Sequence, residues 1–357
     1  MNKKNVLIER KDWIDWARGV LMFLVFVYHS EVYYGDGHSW SWIFTPFFLT
    51  GFFFISGYLF CKDINAVSLV KKCKSVVKGI LIPYLFFTIL FILPKALFYR
   101  TGINQLAIDV VMFRASWFVV VIGVFQLVYA LALQKNPSNI KLLVVTTIMF
   151  ATGYLSVFFY EDLPLWISNS AWLQSPMLPN RFPFCLNIAL VMCPFFYLGI
   201  VYRQIENRIK ISSGGLVAMI AAYMAVMIVD KQYIGSNITV ATHNYVNLPL
   251  VFLYGLLGTM VVIEISKSIY KFKFINYIGK HSILFYFLNG VALQFVTKVA
   301  NIITNNIITD GGGGVSKCYL HRSNCLCYNI SRSMVYFPLY AVFRRRKSEM
   351  DNQQLIH

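Results

Sequence analysis

The stretch from Asp15 to Glu31 reads DWARGVLMFLVFVYHSE and places ionisable side chains inside an apolar run of membrane-spanning length. A helix that crosses a bilayer needs about 20 mostly apolar residues. An ionisable residue within such a helix is energetically costly, and it is therefore a functional hypothesis by default. The stretch predicts a first transmembrane helix with Arg18 and His29 in its interior.

The rest of the chain repeats the apolar pattern without a comparable polar stripe. The 357 residues are 58% hydrophobic and 13% charged, whereas soluble domains are about 45–50% apolar and about 25% charged. This composition excludes a secreted disulfide scaffold, a disordered chain and a nucleic-acid-binding domain with a membrane anchor. We expect an all-α polytopic bundle of about ten spans, at 16–34, 43–60, 79–99, 106–134, 141–159, 183–202, 215–230, 246–265, 281–303 and, as a weak tenth, 326–343.

The formal net charge of +17 is explained by membrane topology. Most Lys and Arg residues fall in alternate connecting segments, including Lys62–Lys78 and Lys267–Lys280. Basic residues collect in cytoplasmic loops, so this distribution predicts that both termini are cytoplasmic. We expect the lipid bilayer, and no nucleic acid, as the partner of the basic surface.

We expect residues 1–357 to form a single integral membrane domain. One segment of the chain departs from the apolar pattern of that domain. Residues 310–333 form an atypical Gly- and Cys-rich loop that begins DGGGG, and the weak last span, 326–343, follows it. Two interpretations remain open: a natural outer loop, or a shifted reading frame after a repetitive glycine tract.

The ionisable residues of the first span fall on one stripe. Arg18 and His29 are eleven residues apart, so on an α-helix they lie about 20° apart around the axis and about 16 Å apart along it. Asp15 lies one turn before Arg18, and Tyr33 one turn after His29. A histidine suits general base catalysis near neutral pH, and an arginine suits an anion such as a phosphate. The alternative is that Arg18 extends to the cytoplasmic head groups and His29 hydrogen-bonds a neighbouring helix.

Six blocks in order resemble the acyltransferase-3 family of integral membrane O-acyltransferases. The first span carries the family's Arg-x10-His pattern, and Trp13-Ile14-Asp15 followed by Ala17-Arg18-Gly19 resembles the family's opening. The other four blocks are Phe52–Phe60 (FFFISGYLF), Lys74 and Lys78 before Ile82-Pro83-Tyr84, Trp117-Phe118, and Ile278-Gly279-Lys280-His281-Ser282. The branch that is most similar is that of the fucose 4-O-acetylases, although Asn289 stands where its members often have a histidine.

The resemblance implies a function and a set of site residues. It implies an acyltransferase that moves an acetyl group from cytoplasmic acetyl-CoA, as co-substrate, to a hydroxyl of a cell-surface glycan or its lipid-linked precursor. The implied location is the bacterial cytoplasmic (inner) membrane, and no metal is expected. The implied catalytic residues are His29 and Arg18. Arg18, Lys74 and Lys78 would bind the cofactor, with Asp15 and Tyr33 in support.

Two other functions remain open from the residues alone. A secondary transporter or flippase for a lipid-linked sugar or small anion would also need a polar stripe, although the sequence has no visible inverted repeat of the kind many transporters carry. A non-catalytic membrane protein could hold Arg18 and His29 for packing alone.

Overall fold

Helices account for every regular element in the part of the chain that the structure describes. The computed structural model describes residues 11–34, 40–99, 103–113, 116–159, 183–234 and 248–310. The helices are α1 (Asp12–Tyr34), α2 (Thr45–Phe60), α3 (Leu69–Val76), α4 (Ile82–Tyr99), α5 (Ile103–Val111), α6 (Trp117–Ala132), α7 (Asn139–Phe159), α8 (Leu186–Ile205), α9 (Ser213–Val229), α10 (Leu248–Ile269), α11 (Lys273–Lys280) and α12 (Ser282–Asp310). The predicted all-α fold class is confirmed.

Several of these helices have the length and apolar composition of membrane spans. Five candidate spans lie in the described residues: Leu69–Phe91, Asn139–Ser156, Leu186–Arg208, Ser213–Ile234 and Pro249–Ile269. The 23-residue helix α1, which carries Arg18, His29 and Glu31, is not among them. The protein is a multi-pass membrane protein, whereas the count of ten spans and the cytoplasmic termini stay predictions.

The chain divides into two compact units. The first comprises residues 1–175 and 180–294, and the second comprises 176–179 and 295–357. The site described below lies entirely in the first unit. In the second unit the structure describes only residues 295–310, the last part of α12. The atypical loop beyond residue 310 and the weak span 326–343 lie outside the described residues, and the single domain over 1–357 stays a prediction.

Two predicted boundaries differ from those in the structure. The basic segment Lys62–Lys78 was expected as a loop, but α3 begins at Leu69 and continues through a π-helical turn, Val77–Leu81, into α4. The alternation of apolar and basic residues in 69–78 is that of an amphipathic helix, which a simple hydropathy run does not detect. The long predicted span 106–134, for which a surface stretch before Trp117 was the alternative, is divided into α5 and α6, and α6 begins at Trp117.

Helix α2 is the centre of the first unit. Its sequence TPFFLTGFFFISGYLF is apolar on every side, which is typical of a helix surrounded by others, and Pro46 is accommodated in its first turn. Phe53, Phe54 and Tyr58 are at most 2% exposed. Helices α8, α10 and α1 pack around it.

Glycines allow the closest helix crossings. A β-carbon at Gly57 of α2 would lie 1.9 Å from the carbonyl oxygen of Phe196 of α8, and one at Gly199 would lie 2.0 Å from that of Phe54. At the second crossing, a β-carbon at Gly279 of α11 would lie 1.6 Å from the carbonyl oxygen of Asp15 of α1. Small residues let helix backbones approach in this way within membranes.

We predict that Gly279→Ala disrupts the packing of α1 on α11. The new methyl group meets backbone, which cannot rotate away, so the helices must separate, at a cost of about 1–3 kcal/mol or more. The measurement is the thermal unfolding midpoint of the detergent-solubilised protein by fluorescence-detected size-exclusion chromatography.

The matched control is Gly290→Ala on α12, where a β-carbon meets no atom within 4 Å. Alanine is about 1 kcal/mol better than glycine inside a helix, so this variant should unfold at or above the wild-type temperature. Equal midpoints for the two variants would contradict the close crossing.

Candidate functional site

Helix α1 carries the predicted stripe without interruption. It is a continuous α-helix from Asp12 to Tyr34, so the eleven-residue spacing does place Arg18 and His29 about 20° apart on one face. Both residues are partly buried. The side chain of Tyr33 lies outside the described part of the structure, so its supporting role stays a prediction.

Arg18 is held by a serine from the other end of the chain. Its Nη2 atom donates a hydrogen bond of 2.7 Å to Oγ of Ser282, the first residue of α12. Ser282 is 5% exposed. A hydrogen bond from a charged donor is stronger than one between neutral groups, so this contact fixes where the guanidinium lies.

The glycine crossing of α1 and α11 makes this hydrogen bond possible. Gly19 follows Arg18 directly, and a β-carbon there would lie 2.1 Å from the carbonyl oxygen of Ile275. Asp15, which is 8% exposed, lies at the same crossing through its carbonyl oxygen beside Gly279. The close approach brings α1 within reach of the residues that immediately precede α12.

His29 lies farther along the same face, in aromatic surroundings. Phe26, one turn earlier, packs its ring edge-to-face on Phe285 of α12, with centroids 6.3 Å apart. Tyr28 contacts the His29 ring at 5.4 Å and the Phe48 ring of α2 at 5.7 Å. Among the described residues the His29 imidazole has no hydrogen-bond partner, so the ring is oriented by packing.

Lys74 and Lys78 belong to elements other than α1. Lys74 belongs to α3 and Lys78 to the π-helical turn that follows it, and both side chains are exposed. Helix α3 packs on α6. Within the described residues neither ammonium group makes a hydrogen bond or an ion pair, so both are available to an anion.

Other basic residues near the start of α1 are already paired. Lys11 forms an ion pair with Glu206 and donates a hydrogen bond of 2.8 Å to the hydroxyl of Tyr58. Lys267 pairs with Glu264 at 2.8 Å, and the hydroxyl of Tyr202 donates to the same carboxylate at 2.9 Å. We call this set the charge network; it consists of Lys11, Tyr58, Tyr202, Arg203, Glu206, Glu264 and Lys267.

The charge network links the start of α1 to the ends of three helices. Tyr58 lies near the end of α2, Tyr202 near the end of α8 and Lys267 near the end of α10. Arg203 completes it by lying over the Tyr58 ring, 4.4 Å from the centroid. Lys267 is engaged with Glu264, so this basic residue of the segment Lys267–Lys280 is part of the charge network.

Cys61 follows α2 directly but is not activated as a nucleophile. Burial raises the pKa of its thiol to about 11, against the opposing influence of Lys72. The Lys72 ammonium also donates to the Phe60 carbonyl and lies 4.3 Å from the centroid of the Phe60 ring. The thiolate is the reactive form of cysteine, so a protonated Cys61 does not serve as an acyl carrier at neutral pH.

Ser282 is the site residue that sequence reasoning did not assign. It ends the block Ile278-Gly279-Lys280-His281-Ser282, which was noted only as part of the family resemblance. In the structure the same block supplies both the glycine of the crossing and the partner of Arg18. A glycine three positions before a serine at the start of a helix is a common pattern. It does not predict such a contact unless the fold is known.

The described geometry suits acyl transfer to a hydroxyl. A fixed cation lies at one level of α1 and an imidazole without a hydrogen-bond partner lies about three turns farther along it. A guanidinium binds phosphates, and an imidazole that is free to accept a proton is a general base.

Comparison with known proteins assigns the chain to a family. No curated protein and no solved structure matches it at a significant level. The family model described as an acyltransferase domain, acyltransferase-3, matches residues 11–316, which include the twelve described helices and the whole of the site above. The chain therefore belongs to the acyltransferase-3 family, and the protein is a membrane acyltransferase.

Proposed function

We propose that this acyltransferase uses acetyl-CoA from the cytoplasm to O-acetylate a hydroxyl of a cell-surface glycan or of its lipid-linked precursor, in the bacterial inner membrane. The observation that carries the proposal is the stripe of α1, on which Arg18, bonded to Ser282, and His29, without a described partner, face the same side. The acceptor and the donor therefore meet on one face of one helix.

Arg18 is the residue that binds the donor. Acetyl-CoA carries phosphates, and the planar guanidinium is well matched to phosphate oxygens. The Ser282 hydrogen bond holds the guanidinium in place, and a guanidinium has five N–H donors in a planar fork that matches phosphate oxygens. The exposed ammonium groups of Lys74 and Lys78 provide additional positive charge for the nucleotide end of the cofactor.

His29 is the residue that carries the chemistry. Its imidazole takes the proton of the acceptor hydroxyl while the hydroxyl oxygen attacks the thioester carbonyl. The carbon–sulfur bond breaks, the CoA thiolate takes the proton, and the acetyl ester is released. A second course is nucleophilic: the imidazole takes the acetyl group first and then passes it to the hydroxyl. Both courses need an unprotonated ring and fail without it.

We predict that His29→Ala abolishes acyl transfer. Loss of a general base costs about 10²- to 10⁴-fold in rate. The measurement is the O-acetyl content of the surface glycan, by NMR, in a strain that lacks the gene and is complemented with wild type or variant.

His29→Ala also separates the proposal from its alternatives. Restored O-acetylation with this variant would contradict the catalytic role, provided that the variant and wild type are present in the membrane in equal amounts. A transporter or flippase would keep substrate flux in the variant, and the wild type would transfer no acetyl group from acetyl-CoA.

We predict that Ser282→Ala weakens the use of acetyl-CoA more than it slows turnover. Without the hydroxyl the guanidinium loses its anchor, and a hydrogen bond to a charged group is worth about 1.5–3 kcal/mol. We expect KM for acetyl-CoA to rise about tenfold or more, with a smaller change in kcat, measured by release of the CoA thiol in membrane vesicles.

Two variants control this experiment. Ser282→Thr keeps a hydroxyl and should retain most of the wild-type KM. Ser266→Ala removes a buried hydroxyl that donates to the carbonyl of Val262 in its own helix, and it should leave KM unchanged. A normal KM in Ser282→Ala would show that the Arg18 contact has no part in donor binding.

A further inference from the structure

The chain between α10 and α11 alternates aromatic and basic residues on an exposed surface. The sequence Tyr270-Lys271-Phe272-Lys273-Phe274 begins directly after the candidate membrane span Pro249–Ile269. Both lysines are exposed, and the side chains of Phe272 and Phe274 are 62% and 71% exposed. The alternation therefore lies at the level where a membrane span ends.

Hydrogen bonds fix the backbone of this segment. The side-chain amide of Asn276 on α11 donates a bond of 2.7 Å to the carbonyl of Tyr270, and its backbone N–H donates one of 3.1 Å to the carbonyl of Phe272. The N–H of Lys271 donates to the carbonyl of Ile269 at 2.8 Å. The exposed side chains thus project from a turn that is closed against the first turn of α11.

Helix α11 continues the exposed surface on the side away from α1. Ile275 and Gly279 make the close backbone crossing with α1. At 3.6 residues per turn, the opposite side of α11 carries three residues, all of them exposed: Lys273, Tyr277 and Lys280. One side of this short helix is therefore covered by protein, and the other is basic and aromatic.

We call the exposed set the interfacial surface; it consists of Tyr270, Lys271, Phe272, Lys273, Phe274, Tyr277 and Lys280. No acidic residue occurs in the sequence between Lys267 and Lys280. Among the described residues, none of the three ammonium groups of this surface makes a hydrogen bond or an ion pair. Aromatic rings beside a span are typical of the membrane–water interface, and lysines beside a span attract anionic lipids.

The interfacial surface is in contact with the residues around the Arg18 anchor. The Tyr277 ring lies 4.7 Å from the His281 ring and 6.3 Å from the Phe285 ring, between centroids. Ser282, whose hydroxyl accepts the hydrogen bond from Arg18, lies between those two residues in the sequence. A ligand on the interfacial surface would therefore act on both sides of this serine.

We propose that the interfacial surface binds the head groups of anionic phospholipids. The ammonium groups of Lys271, Lys273 and Lys280 pair with the lipid phosphates, and the rings enter the interface beside the end of α10. Lipid bound on one side of α11 holds its other side against α1. The binding goes beyond the proposed function; its consequence, that anionic lipid improves the use of acetyl-CoA through Arg18, rests on that function.

The binding is tested by photo-crosslinking of the full-length chain. The protein is reconstituted in phosphatidylcholine vesicles with a trace of phosphatidylglycerol that carries a photoactivatable group, and labelled peptides are located by mass spectrometry. We expect labelling within 270–280. Substituting Lys271→Gln and Lys273→Gln should lower it about fivefold for each lysine, which corresponds to about 1 kcal/mol, and a matching pair of Lys→Arg substitutions should retain it.

A matched control removes the same charge at the end of another span. Arg208 and Lys210 are exposed at and just beyond the end of the candidate span Leu186–Arg208, where no aromatic residue lies between them. The double variant Arg208→Gln with Lys210→Gln should leave the labelling of 270–280 unchanged. An equal loss in this control would overturn the proposal, because general positive charge would then account for the labelling.

The consequence is tested by release of the CoA thiol in vesicles with and without phosphatidylglycerol. Phosphatidylglycerol should lower the KM of wild type for acetyl-CoA severalfold and leave the KM of the Lys271→Gln, Lys273→Gln variant unchanged. In detergent without phospholipid, the two proteins should bind acetyl-CoA with the same Kd, measured by calorimetry. A weaker Kd of the variant in detergent would overturn the proposal, since the lysines would then hold the phosphates of the donor.

The remaining outcomes separate the lipid surface from the proposed function. Absence of labelling within 270–280, with an unfolding midpoint that rises with protein concentration, would overturn the proposal in favour of a second copy of the chain on this surface. Labelling as expected with a KM that does not respond to phosphatidylglycerol would overturn the effect on Arg18. A wild type that transfers no acetyl group from acetyl-CoA would reject the proposed function, whereas the labelling would still support the lipid surface.

Discussion

The backbone contact between α1 and α11 is the constraint on which the site depends. Gly19 and Gly279 leave no room for a β-carbon against the opposing carbonyl groups of Ile275 and Asp15. Because the helices touch at this point, the residue that begins α12 lies within one side-chain length of α1, and Arg18 reaches Ser282. A larger side chain at either glycine would move the arginine and the histidine away from α12 together, since both belong to one rigid helix.

Along α1 the polar groups change from paired to unpaired. At its start, Lys11 is tied to Glu206 and Tyr58, within a network that joins the ends of α2, α8 and α10. Such pairing fixes the helix ends relative to one another, which suits a scaffold. Farther along, His29 packs against the Tyr28 ring and has no hydrogen-bond partner among the described residues. A polar group without a partner in the described part of the chain can be satisfied by a substrate, so the region of His29 is the one suited to chemistry.

The sequence predicted the long apolar helices of the fold well. It predicted less well where the basic segments between them become helical. Hydropathy located α1, α2 and α7 to within a few residues, because a run of about 20 apolar residues has one stable form in a bilayer. It missed α3 and α11, since an amphipathic helix beside a span reads as a charged loop. It also placed Lys74 and Lys78 in that loop, whereas they lie on a helix and in the π-helical turn that follows.

The sequence by itself determined the membrane class, the helical fold and the stripe of Arg18 and His29, because helical periodicity depends only on the spacing of residues along the chain. The tertiary structure alone decided which groups meet that stripe. Ser282 is 264 residues from Arg18 in sequence, and no periodic pattern connects them. Their contact depends on how closely the helix backbones approach, which is a property of packing.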